Sequence, residues 1–110
     1  MDSPKVIVYV FKDKSKSNDR DLLQQLDDIF SEHGKEVRYI LDLNELSMIN
    51  SEFIGKLIGV RKLNLEILVC CEKGKHARES LDIIKFYQFL PIFNTVIDAT
   101  KYFMGDTLDE

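Results

Sequence analysis

The chain has 110 residues, 45% of them hydrophobic and 31% charged, with only 5 Gly and 2 Pro. That is enough for one domain with a single core, and it excludes disordered and fibrous classes. A net charge of -4 argues against non-specific nucleic-acid binding, which rests on phosphate neutralisation by Lys and Arg.

No apolar run approaches the ~18 residues that a membrane helix needs, so no membrane insertion is expected. Met1, Asp2, Ser3 and Pro4 lack the charged-then-apolar pattern of a secretory signal. The two cysteines, Cys70 and Cys71, are adjacent. A disulfide framework needs separated partners, so they are expected to be buried reduced thiols in a cytoplasmic protein.

In chain order, residues 5–11 (KVIVYVF) are rich in Val, Ile and aromatics and predict a buried strand. The Lys residues of the following KDKSKS run could form a phosphate-binding patch, but the run is short and interrupted by Asp13, so a solvated loop is expected. Asn18 is expected to cap a helix with Asp19 and Asp21 in its first turn. Leu22, Leu23, Leu26, Ile29 and Phe30 recur at helical spacing and form its apolar face. Asp27, Asp28 and Glu32 form its solvated side, and Gly34 stops it.

Residues 37–43 (VRYILDL) predict a second strand. A loop carrying Leu46, Met48 and Ile49 leads to a helix that begins near Asn50 or Ser51 and buries Phe53, Ile54, Leu57 and Ile58. Gly55 and Gly59 lie one turn apart on that helix. Each costs roughly 1 kcal/mol of propensity relative to Ala, a cost that close packing against a neighbour would offset.

Residues 65–71 (LEILVCC) predict a third strand, and residues 75–86 a third helix with Ala77, Leu81 and Ile84 as its core stripe. Pro91 breaks the pattern, and Ile92 and Phe93 form a short fourth strand. Thr95 caps a last helix, with Asp98 in a capping-box position and Val96, Ala99 and Phe103 facing inward. The acidic tail, residues 105–110, is expected to fray. Strands alternating with helices imply a single α/β domain over residues 1–110, with a small, mostly parallel sheet of about four strands and about four helices.

No catalytic constellation is found. His33 and His76 stand at helix ends. The thiol pair has neither redox nor metal-ligand spacing, and neighbours on a strand point to opposite faces. GKLIGVRK lacks the Gly-Lys-Ser/Thr ending of a phosphate loop. Asp42, Asn44 and Glu45 lack the Gly and terminal Glu of an EF-hand. No cofactor or metal is expected.

Residues 42–57 read DLNELSMINSEFIGKL. This stretch resembles the signature of STAS domains, the family of anti-sigma-factor antagonists: Asp-Leu ending a strand, a short apolar loop, then Asp-Ser-Ser-Gly-Leu-Gly opening a helix. Asp42 and Leu43 match the strand end, and Met48 and Ile49 the apolar pair. Asn50, Ser51, Glu52, Phe53, Ile54 and Gly55 stand at the six helix-opening positions. The strand LEILVCC, the helix ending near Phe86, the LPIF segment and the last helix keep the family's order. The likeness covers about two-thirds of the chain, and the first third shows one strand where the family often has a hairpin.

The resemblance implies a STAS-like α/β fold and a non-catalytic, cytoplasmic regulatory module for partner switching in transcription. Residues 50–55 would bind a protein partner, an anti-sigma factor that is also a serine kinase. In that family the kinase phosphorylates the second Ser of the motif, and phosphorylation releases the partner. Phosphate adds about -1.5 to -2 charges and three acceptor oxygens. A helix N-terminus tolerates that charge, whereas a partner surface built for a neutral hydroxyl need not.

Glu52 occupies the acceptor position. Three readings follow: a permanent mimic of the phosphorylated state, a plain first-turn carboxylate in a domain that never switches, or a switch moved to Ser51. Asn50 in place of Asp remains a good cap. Phe53 in place of Gly either bears on partner approach or belongs to the core. The alternative to a switch is a constitutive STAS subunit of a larger complex, such as a transporter ATPase assembly. A nucleotide-binding reading would use the carboxyl ends of the strands, including the loop over residues 42–51.

Overall fold

The structure is a computed structural model and describes residues 5–13, 21–34, 37–61 and 66–104. Four strands form one all-parallel sheet in the order β1-β2-β3-β4: β1 (Lys5–Val10), β2 (Val37–Asp42), β3 (Glu66–Cys70) and β4 (Ile92–Phe93). The helices are α1 (Leu22–His33), α2 (Ser51–Arg61), α3 (His76–Ile83) and α4 (Val96–Met104). The chain steps one strand at a time in a single direction. Crossovers of one hand therefore place α1, α2 and α3 on the same face.

The core confirms that placement. Leu26 and Ile29 of α1, Phe53 and Leu57 of α2, and Ala77 and Leu81 of α3 share one buried cluster with Tyr39, Leu41, Ile67 and Val69 of the sheet. Ile40, Leu68 and Cys70, the alternate strand residues, meet Ala99 of α4 on the opposite face. Period-two alternation thus divides the strand residues between two cores. The predicted strands and the order of elements match, and the sheet is entirely parallel.

Local outcomes differ in four places. The cap of α1 is Asp21, whose carboxylate accepts from the Gln24 N–H at 2.8 Å. The expected cap Asn18 and its neighbour Asp19 lie outside the described residues, as does the tail 105–110. Gly34 ends α1 at φ 74°, as expected. α3 ends at Ile83, three residues early, because Lys85 takes a left-handed φ of 58°. That reversal carries Phe86 into the core on a short 3-10 turn and leaves Ile84, expected in the stripe, 44% exposed. Gly55 and Gly59 are exposed. A Cβ at either would meet nothing within 4 Å, so no close neighbour offsets their helix cost.

The Thr95 cap is present, with its hydroxyl accepting from the Asp98 N–H at 3.1 Å. One buried polar side chain was not anticipated. Gln25, 1% exposed, accepts from the Tyr9 hydroxyl at 3.1 Å and donates to the Lys12 carbonyl at 2.9 Å. It ties α1 to the carboxyl end of β1. Its signal was in the sequence: a polar residue on the inward face, three after Leu22 and four before Ile29.

Candidate functional site

The stretch 50–55 opens α2 beside the carboxyl ends of the strands. Asn50 is the cap: its side-chain oxygen accepts from the Phe53 N–H at 2.8 Å and its carbonyl from the Ile54 N–H at 3.2 Å. Helix starts leave backbone donors unpaired, and an Asn cap satisfies one of them. Ser51 and Glu52 follow in the first turn, both exposed. A carboxylate there is favoured by the helix dipole.

Phe53 and Ile54 face the other way. Phe53 is fully buried, with its ring edge-on to Phe11 at 5.3 Å, and Ile54 is 9% exposed. The helical stripe predicted this burial, whereas the resemblance counted both among the partner-contact residues; that second expectation is corrected, since burial removes their side chains from the surface. The helical period fixes this division. Phe53, Leu57 and Val60 form the inner stripe, and Ser51, Gly55 and Gly59 form the outer one.

The approach to the turn is anchored at both sides. The Ser47 N–H donates to the Asp13 carboxylate at 3.2 Å, linking this loop to the end of β1. Leu46 and Ile49 are buried, whereas Met48 is 61% exposed. On the far side, Lys56 pairs with Asp27 of α1 at 2.9 Å. Both partners are about half exposed, which limits such a pair to roughly 0–1 kcal/mol.

Beside the turn, the carboxyl ends of β2, β3 and β4 are bound by side chains. Asp42 accepts from the Asn44 N–H at 2.9 Å, and Asn44 accepts from the Glu72 N–H at 2.6 Å. Arg78 donates to the Cys71 carbonyl at 2.7 Å and to Asp82 at 3.1 Å. These polar groups are committed to the fold. The sequence marked Asp42 as the strand end of the family-like motif and set Asp42 and Asn44 aside as calcium ligands, but it gave no sign of their backbone hydrogen bonds or of the role of Arg78.

Cys70 and Cys71 are free and buried on opposite faces, as predicted. Burial, reinforced by Asp42 and Asp98, pushes the Cys70 thiol up to about 12. Burial likewise pushes Cys71 up to about 11, against the opposing pull of Arg78. Neutral buried thiols are poor nucleophiles. His76 is exposed, and His33 lies beside Glu32 at 4.0 Å. Among the described residues, no group of three His, Cys, Asp or Glu is placed to hold a metal, and no helix is long and apolar enough to cross a membrane. A shallow groove of about 460 Å³, lined by Lys73, Phe93, Lys101 and Tyr102 among others, contains none of residues 50–55.

No family model, curated protein or solved structure matches the chain.

Proposed function

We propose that the chain is a non-catalytic, cytoplasmic regulatory domain of the STAS type that binds a protein partner through Asn50, Ser51, Glu52 and the outward backbone at Gly55. The observation that carries this reading is the position of Glu52, exposed in the first turn of α2 two residues after the Asn50 cap. The resemblance over residues 42–57 expects the regulated residue at that place. The partner is an anti-sigma factor of the serine-kinase kind. Glu52 supplies a fixed negative charge where the family has a reversible one, and it cannot accept phosphate, so this partner's surface has to be built for a carboxylate at that place rather than for a neutral hydroxyl. Ser51, exposed at the first helical position, is the remaining hydroxyl in the turn.

A fixed charge also suits a second reading, a constitutive subunit of a larger assembly such as a transporter ATPase. Affinity capture from the source cells, with the bound proteins identified by mass, separates the two. Recovery of a serine-kinase anti-sigma factor supports the regulatory module, and recovery of an ATPase subunit supports the fixed subunit. In either case Glu52→Lys abolishes the complex and Glu79→Lys, at an exposed site on α3, preserves it. A complex indifferent to every substitution between Ser47 and Lys56 contradicts the proposed site.

A further inference from the structure

The two edges of the sheet are built differently. β4 has two residues and follows Pro91, and short strands and prolines are both devices that blunt an edge. β1 has six residues, KVIVYV, with no Pro and a single charge at its start. No described residue pairs with its outer side. A long apolar edge of this kind invites strand pairing.

The register shows which groups it offers. The Phe11 N–H donates to the Asp42 carbonyl at 3.0 Å. In a parallel ladder a residue turns its N–H and C=O to the same side, and the next residue turns both away. Ile7 and Tyr9 therefore bond to β2, while Val6, Val8 and Val10 turn their N–H and C=O groups outward. The side chains of these three valines lie on the α4 face. α4 covers β2, β3 and β4, and Val8 at the middle of the strand stays 45% exposed. All-parallel sheets normally have both faces covered.

We infer that β1 is a self-association edge, on which a second copy of this chain pairs antiparallel about a two-fold axis through Val8. The strip is self-complementary, as a two-fold interface requires. Val8 meets its own copy, Val6 meets Val10, and Ile7 meets Tyr9. The outward groups of the three valines then exchange about six N–H···O bonds, and the two sheets become one. Antiparallel pairing also keeps the two Lys5 residues about 20 Å apart, beyond the range of their repulsion at physiological salt, whereas parallel pairing would place them side by side.

Sedimentation velocity over a dilution series tests this on the full chain. The expected native species is a dimer of twice the chain mass. Val8→Pro deletes an N–H that β2 does not use, so the ladder survives and the variant is a folded monomer. Val8→Lys, which sets two ammonium groups at the axis, gives the same result by another route. Amide exchange on the native chain supplies a readout without mutation: the Val8 N–H is protected at concentrations where the dimer forms and loses protection on dilution. A native chain that is monomeric, that forms open-ended oligomers, or that stays dimeric with either folded variant overturns the inference. So does a Val8 N–H whose protection ignores concentration.

Discussion

The two sides of α2 answer to different demands. The inner side is a packing surface: Phe53 and Leu57 are fully buried, and Val60 is 5% exposed. The outer side carries Ser51, Glu52, Gly55, Lys56 and Gly59, all exposed. Only the inner side is fixed by the fold. The outer side holds two glycines that weaken the helix and touch nothing. A helix that served stability alone would have Ala at both positions. The cost is borne where a partner would approach the backbone.

Substitutions on the two sides should therefore separate folding from binding. The largest effect belongs to the inner side. Phe53→Ala should destabilise the domain by about 3–5 kcal/mol, since it empties a fully buried ring site against Phe11. Chemical denaturation reads this directly, and a loss below about 1 kcal/mol would mean the ring is not a core anchor. Asn50→Ala, at the junction of the two sides, should cost about 1 kcal/mol by removing the acceptor for the Phe53 N–H.

On the outer side the sign reverses. Gly55→Ala and Gly59→Ala should each stabilise by roughly 0.5–1 kcal/mol, because a Cβ meets open space at both positions. Thermal unfolding checks the gain, and the same proteins should bind the partner less well if its backbone approach uses those positions. Variants gaining stability with unchanged binding would confine the site to Asn50, Ser51 and Glu52.

The smallest effect comes from the thiols. Both are raised from an ordinary value of 9.0, to about 12 and about 11. The unfolded chain therefore loses these protons at lower pH than the folded one. Their contribution to stability is fully present below pH 9 and is lost as pH rises towards 11–12. Denaturation midpoints should fall across that window, and less so in Cys70→Ala. At neutral pH a thiol reagent should modify neither cysteine without unfolding.

Much of the fold was legible because it follows from periodicity. Alternation marked the strands, the i, i+4 stripes marked the helices, and Asn50, Thr95 and Gly34 marked their ends. The misses came where a single backbone or side-chain choice overrides the pattern. A left-handed Lys85 ended α3 early and exchanged Ile84 for Phe86, and no sequence period signals that. The role of Arg78 depends on strand ends brought together only by folding. At the site, the helical stripe placed the turn, its cap and the inward direction of Phe53 and Ile54, which are buried as that stripe predicts. The resemblance to a partner-binding motif compares positions and not helix faces, so it counted both among the contact residues.

The most direct test restores the hydroxyl that the resemblance expects. Glu52→Ser, incubated with ATP and the anti-sigma serine kinase proposed as its partner, should gain one phosphate that maps to the substituted position and should then release the kinase. The native chain should gain none there. If Glu52→Ser binds the kinase and remains unmodified at that position, the alignment of this turn with a switch site is wrong.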